Sequence, residues 1–221
     1  MGNLRLVCRG VGPNLFVLVA GLPSGQDAAV EEQTSVDSVV YEILGFFVER
    51  GHAKYSERVT MEQHARQAAA LAQAAGASNS LVLAALLHDL GHFLGEQDSE
   101  FGVTAHGETG GAWLAERFVD EVSEPVRLHV SAKRYRCHVD SAYEAELSPA
   151  SIGTLRLQGG PMSVDEAAAF RAEPFAEDAL KLRGWDDSGK VVGLDIPPID
   201  FWLPLLKDPA LRRVGREVSK P

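Results

Sequence analysis

The stretch Ala84-Ala85-Leu86-Leu87-His88-Asp89-Leu90-Gly91-His92 decides how the rest of the chain is read. With Leu81, Val82 and Leu83 before it, it predicts a helix from Leu81 to about Leu90, opened by Ser80 and ended by Gly91. A helix that is apolar on every side belongs in a core. His88 and Asp89 therefore sit side by side where an unpartnered polar group is costly. A lone histidine there reads as a satisfied core residue, with Asp89 as a helix-end cap. Ligand-type side chains on separate elements shift the reading toward a divalent metal.

Working outward, Ser35 to Arg50 places Val36, Val39, Val40, Ile43, Leu44, Phe47 and Val48 at helical period. Thr60 and Gln63 form a capping-box pattern that opens a helix to about Ala75, stopped by Gly76. That helix carries His64. Beyond the central stretch, a helix is expected from near His106 to Val119. Ser123-Glu124-Pro125 reads as an N-cap with proline at the first helical position, its helix running to about His138 with His129 and Lys133 one turn apart. Ser148-Pro149 repeats the device and predicts a helix to about Gln158, stopped by Gly159-Gly160. Ser163 with Glu166 opens another helix, and Phe175 to Trp185 and Phe201 to Leu206 follow as short ones. Asp186 closes the helix that contains Arg183. Strand-like alternation is scarce and no repeat appears, so the expected class is all-α, a bundle of irregular helices.

Length and composition agree with one such domain. The chain has 221 residues, 45% of them hydrophobic, enough for a core without staples. We expect residues 1–35 to be a poorly ordered N-terminal extension and residues 36–221 the domain. Val11 to Leu22 weakly resembles a secretory signal, but Pro13 and Asn14 interrupt it and it is too short to span a membrane. Cys8 and Cys137 form no CxxC pattern, which argues against a disulfide framework or zinc-thiolate site and fits a reducing cytoplasm. A net charge of −10 argues against nucleic acid as a partner. It does not exclude a small anionic substrate, because lysines, arginines and metal decide the local field.

The candidate metal ligands are His64, His88, Asp89, His106, His129 and Asp186. Four imidazoles and two carboxylates suit iron, manganese, cobalt or zinc. Asp89 lies between the other candidates and is the natural bridge between two ions. His52 and His138 fit no pattern and read as surface residues. Trp113, Tyr135 and Trp185 read as packing.

The order His64…His88-Asp89…Asp186 resembles the H…HD…D pattern of the HD superfamily, and His106 and His129 resemble the extra histidines of its dinuclear branch. Further blocks narrow the likeness: Glu57-Arg-Val-Thr60, Leu86-Leu-His-Asp-Leu-Gly-His92, His106-Gly-Glu108, Pro125 to Tyr135, Leu147-Ser-Pro-Ala-Ser151, Leu157-Gln-Gly-Gly-Pro-Met162 and Trp185-Asp-Asp187. Across roughly residues 36–206 the chain resembles the HD-domain mixed-valent di-iron oxygenase family that cleaves organophosphonates.

The resemblance implies an HD-domain helical bundle with one iron on His64, His88, Asp89 and Asp186 and a second on Asp89, His106 and His129. Asp186 is preferred over Asp187 because Asp186 and Lys190 reproduce the family's Asp-to-Lys spacing. Ser151, Thr154 and Gln158 share one helix face and resemble the phosphonate-binding helix, although such a stripe is ordinarily a solvated surface. Lys133 and Arg183 add positive charge for phosphonate oxygens. His92 reads equally as a substrate-contacting histidine and as a helix C-terminal cation. Glu57 resembles the carboxylate that faces the substrate's cationic end. Tyr55 resembles an iron-capping tyrosine that stands three residues before that carboxylate in the family; here the gap is two and Lys54 takes the position.

The implied reaction is oxidative cleavage of the C–P bond of a 1-hydroxyphosphonate, 2-amino- or 2-trimethylammonio-substituted, to a carboxylate and inorganic phosphate. It uses two iron ions as Fe(II)/Fe(III) and dioxygen as co-substrate. The implied partners are the small anionic organophosphonate and no membrane, with the protein a monomer or weak homo-oligomer. The competing reading is an HD-type phosphohydrolase that activates water against a small phosphate ester or nucleotide with the same ligands. A non-catalytic binding module ranks below both, because every candidate ligand is present.

Overall fold

The computed structural model describes residues 38–54, 59–100 and 103–213. Its centre is the helix α3 (Asn79–Leu87), which follows α1 (residues 38–50) and α2 (Met61–Ala74). Every α3 side chain from Leu81 to Leu87 is buried. A helix that is apolar all round needs partners on all sides, and α2, α6 (Asp120–Val139) and α10 (Ala176–Ser188) supply them. Next in the chain, α4 (Gly91–Leu94) packs against α5 (His106–Ala115), and α5 packs along α6. The peripheral elements α7 (Tyr143–Glu146), α8 (Pro149–Leu157) and α9 (Val164–Ala172) cover α6, and α11 (Leu203–Leu206) follows a single 3-10 turn. The described residues hold no strand, only isolated bridges between Lys54 and Thr60 and between Phe118 and Arg212. The all-α expectation therefore holds. No described helix is long and apolar enough to cross a membrane. The expected extension, residues 1–35, lies outside the described residues.

Local chemistry explains most helix starts. Thr60 Oγ1 accepts from Gln63 N while Gln63 returns its side chain to Thr60 N, so the capping box opens α2 as read. Ser163 and Glu166 form the same box at α9, and at α8 the Ser148 hydroxyl accepts from Ser151 N. Gly159 and Gly160 end the α8 segment at φ 100 and 74, a region that side chains avoid.

Several boundaries differ from the sequence reading. Ser78, not Ser80, caps α3, because Ser78 has extended backbone and its hydroxyl accepts from Leu81 N. The helix stops at Leu87 instead of Leu90. From there the chain tightens into i→i−3 bonds, Leu90 N to Leu87 O and Phe93 N to Leu90 O, and Gly91 opens α4 instead of ending α3. α5 ends at Ala115, short of Val119. α6 begins at Asp120, with Pro125 inside it. Its start is fixed from outside: Val119 N donates to Leu211 O and Val122 is buried. That packing offsets the one backbone bond that Pro125 forgoes. The short α7 carries no cap signal in the sequence, and α10 runs on to include Asp186 and Asp187.

Candidate metal centre

The six candidate ligands come together from five separate places in the chain, and all are buried. His88 is the C-cap of α3 and Asp89 follows it. His64 comes from α2, His106 opens α5, His129 sits in α6 and Asp186 comes from the last turn of α10. The two oxygens of Asp89 face different partners. Oδ2 lies 3.4 Å from His64 Nε2 and 3.2 Å from His88 Nε2. Oδ1 lies 3.5 Å from His106 Nε2 and 3.7 Å from His129 Nε2. Asp186 Oδ1 completes the first group at 3.3 Å from His64 Nε2.

The imidazole tautomers follow from the backbone. His88 Nδ1 meets Ala85 O at 2.9 Å, His106 Nδ1 meets Val103 O at 2.8 Å and His129 Nδ1 meets Val126 O at 2.6 Å. Each uses the carbonyl three residues earlier. His64 Nδ1 instead meets Gly189 O at 2.8 Å, just past the end of α10. A carbonyl accepts only, so each Nδ1 carries a proton and, in the neutral ring, each Nε2 turns a lone pair inward. Two such lone pairs then meet at 3.1 Å (His64 and His88) and two more at 3.0 Å (His106 and His129). Both Asp89 oxygens are buried without a hydrogen-bond partner. Acceptors converging on acceptors, around an orphaned carboxylate, is an arrangement that cations complete.

The electrostatics agree. Burial opposes ionisation of Asp89, but the charge of His88 outweighs it and holds the carboxyl well below its usual range. Burial works to lower His88, yet Asp89 lifts it to about 9. Burial, aided by His88, pushes His129 down to about 4, and burial also drives His106 well below its usual value. His88 thus holds a proton where a cation would sit, and His106 and His129 are neutral and ligand-ready.

His92 differs from the ligands. Its ring stacks on His106 with centroids 4.0 Å apart. Its Nδ1 accepts from Val103 N at 3.3 Å, so in the neutral form its Nε2 carries the proton. Burial lowers its pKa and favours that neutral form. The Val103 peptide thereby sorts two stacked rings: its carbonyl turns the lone pair of His106 inward, and its N–H leaves His92 a donor.

A cleft of about 1280 Å³ opens onto this cluster at His92, His106 and Asp186. Lys133, Ser151 and Thr154 line it, and Lys133 Nζ donates to Thr154 Oγ1 at 2.8 Å. Burial, joined by the charge of Arg183, brings the Lys133 ammonium down to about 7. Lys190 also reaches the cleft, 3.4 Å from Asp186 Oδ1. His52, read as a surface residue, is exposed at the mouth with Lys54.

Two residues expected on the substrate are committed elsewhere. Arg183 borders the cleft, but its Nη1 pairs with Asp186 Oδ2 at 2.7 Å, its Nη2 pairs with Asp187, and its Nε donates to Tyr143 OH at 3.0 Å. Gln158 is the C-cap of α8; its Nε2 donates to Thr104 O at 2.9 Å and the side chain borders a separate cavity of about 300 Å³. Asp187 turns away from the histidines to Tyr143 and Arg136. Tyr55 and Glu57 lie outside the described residues.

The glycines around the site set how closely its helices approach. A Cβ on Gly91 would lie 2.7 Å from the His106 carbonyl carbon, and one on Gly111 would lie 2.8 Å from Arg127 Cα. These close approaches let α4, α5 and α6 bring their histidines within reach. Small residues followed by ligand-type ones, as in His106-Gly-Glu-Thr-Gly-Gly111, were the available clue.

Comparison with known proteins gives this geometry a family. The HD domain profile matches residues 61–169. Hydroxymethylphosphonate dioxygenase of Gimesia maris is 44% identical over 156 residues, 68% of this chain and 78% of the relative. The glycine-betaine-forming [1-hydroxy-2-(trimethylamino)ethyl]phosphonate dioxygenase of Leisingera caerulea is 38% identical over 174 residues, 75% of this chain and 86% of the relative. An uncharacterised protein of Acanthamoeba polyphaga mimivirus is 32% identical over 171 residues, 74% of this chain and 78% of the relative. By this identity and coverage, the chain belongs to the HD-domain family, in the branch that contains the phosphonate dioxygenases.

Proposed function

We propose that this protein is a di-iron oxygenase that cleaves the C–P bond of a small 1-hydroxyphosphonate. The observation that carries the metal reading is Asp89: two buried oxygens without a hydrogen-bond partner, each facing the Nε2 atoms of a pair of imidazoles. His64, His88, Asp186 and Asp89 Oδ2 would hold one ion; His106, His129 and Asp89 Oδ1 would hold the other. Two irons as Fe(II)/Fe(III) would supply the redox chemistry that dioxygen requires. The relatives' names supply the reaction class. In balance, C1 exchanges its bonds to hydrogen and phosphorus for bonding to one added oxygen, phosphorus exchanges its bond to C1 for a bond to the other added oxygen, and one proton is released. Dioxygen is fully reduced, and one carboxylate and one inorganic phosphate result.

The chain's own residues bind and orient. Lys133 places its ammonium on the cleft wall, held by Thr154 with Ser151 beside it, and offers charge-assisted bonds to phosphonate oxygens. His92 lines the same cleft, stacks against His106 and holds its Nε2 3.9 Å from Asp89 Oδ1, so it would offer a donor to a substrate oxygen at the metal edge. Arg183 acts behind Asp186, which leaves the anion to Lys133. The pocket thus pays in buried positive charge for a dianionic substrate.

The test is oxygen uptake and phosphate release measured together. The panel is hydroxymethylphosphonate and the 2-amino and 2-trimethylammonio 1-hydroxyethylphosphonates, with anaerobically purified, iron-loaded protein. One member should release phosphate in step with oxygen consumed. Phosphate release without oxygen, or with manganese alone, would install the hydrolase reading instead. No release from any member would overturn the proposal.

A further inference from the structure

Behind Asp186 lies a set of polar groups, Tyr143 and Arg183 buried and Asp187 and Arg136 partly exposed, that binding and chemistry leave unused. Asp187 takes the Tyr143 hydroxyl at 2.5 Å and Arg136 Nη1 at 3.2 Å on Oδ2, and Arg183 Nη2 on Oδ1. The Tyr143 hydroxyl also accepts from Arg183 Nε at 3.0 Å. Arg136 lies over the Tyr143 ring, 3.9 Å from its centroid. Tyr143 and Arg183 are both about 3% exposed, so neither hydroxyl nor guanidinium has water to fall back on. The ring of Tyr143 packs with Cys137, Leu147 and Leu155, the layer that carries α8.

The guanidinium of Arg183 pairs with Asp186 Oδ2, while Asp186 Oδ1 turns to His64, with Lys190 Nζ 3.4 Å away. A buried arginine this close to a ligand carboxylate has two opposing effects. It fixes the carboxylate's rotation, but its charge competes with a cation for the same group. Asp187 resolves the conflict by giving Arg183 a carboxylate of its own. Burial opposes the charge on Arg183, and Asp186 and Asp187 together outweigh it. Burial, then Asp187, keeps the Tyr143 hydroxyl protonated and therefore a donor.

We propose that Tyr143 and Asp187 are positioning residues: they hold and neutralise Arg183 so that Asp186 offers Oδ1 to the ion held with His64 and His88. The inference rests on the two-metal reading given above. It predicts an effect confined to one ion, because among the described residues Tyr143, Asp187, Arg136 and Arg183 bond to one another and to Asp186, and to neither His106 nor His129.

The experiment is metal binding by the full chain, titrated anaerobically with Fe(II) against a chelator and read as stoichiometry and affinity, alongside the melting temperature of the metal-free protein. Wild type should bind two ions. Asp187→Asn and Tyr143→Phe should weaken one ion about 10- to 100-fold and leave the other near its wild-type affinity. Asp187→Glu, which restores the charge, should recover part of the loss. The iron spectrum of the variants should change while the KM for the phosphonate stays put. If Asp187→Asn does not fold, the near-isosteric Tyr143→Phe decides. Wild-type affinity for both ions in a folded variant would overturn the proposal. So would equal weakening of both ions with a lowered metal-free melting temperature, which marks a merely structural role. If wild type itself binds no metal, the two-metal reading fails instead, and the two failures are told apart.

Discussion

Gly91→Ala should damage the centre without touching a ligand. Gly91 stands between the ligand Asp89 and the donor His92, where α4 meets the first residue of α5. The added Cβ would lie 2.7 Å from the His106 carbonyl carbon, 2.8 Å from its Cα, and nearer still to its carbonyl oxygen. Ordinary contact begins at 3.4 Å, so the start of α5 must retreat by at least about 0.7 Å, the shortfall between 2.7 and 3.4 Å. Backbone atoms are what must move, and no flexible side chain can absorb the overlap. Metal–ligand distances tolerate only about 0.2 Å. His106 therefore leaves coordinating range of an ion shared with Asp89 and His129, and its stack on His92 opens. Overpacking of this kind costs about 1–3 kcal/mol of stability. The assay pairs iron stoichiometry with thermal melting of the metal-free protein: the expected result is a lowered melting temperature and one tight ion instead of two. Two ions bound at wild-type affinity, with unchanged melting, would refute the close-approach argument.

Other perturbations separate binding from structure. Thr154→Val removes the acceptor of the buried Lys133 ammonium; a hydrogen bond to a charged group is worth about 1.5–3 kcal/mol, so kcat/KM should fall about 10- to 100-fold with iron content unchanged. Lys133, lowered to about 7 by burial and Arg183, loses its charge as pH rises through that value. Affinity for the phosphonate should accordingly weaken between about pH 6 and 8, and a Lys133→Met variant should bind weakly with a flatter profile. Leu87→Ala, at a position with no exposed surface, should cost about 2–5 kcal/mol in denaturant unfolding. Ser163→Ala should cost only about 1 kcal/mol, since it removes one helix cap on an outer helix.

The parts of this molecule legible in the sequence are those written in local chemistry. The capping residues Thr60, Ser148 and Ser163 announce their helices because the cap is a short-range hydrogen bond. The buried His88-Asp89 pair announces a polar centre because apolar periodicity makes it an exception. Boundaries set by distant contacts were not legible. α6 starts at Asp120 because Leu211 receives Val119 N from far along the chain, and the Ser123-Pro125 signal lies inside the helix. Gly91 reads as a helix stop when only its neighbours are known; its reason is the backbone of His106. Arg183 reads as an anion binder by charge alone, whereas Tyr143, Asp186 and Asp187 claim its nitrogens, and nothing in the sequence near Tyr143 points to that hydroxyl.

The measurement that bears most directly on the account is the spectroscopy of the iron-loaded protein in its half-oxidised state, compared with Asp89→Asn. If Asp89 bridges two irons, wild type shows a magnetically coupled Fe(II)/Fe(III) pair that accounts for two irons per chain, and the variant loses the coupling. A wild-type spectrum of isolated ferric and ferrous ions, or of a single iron per chain, would contradict it.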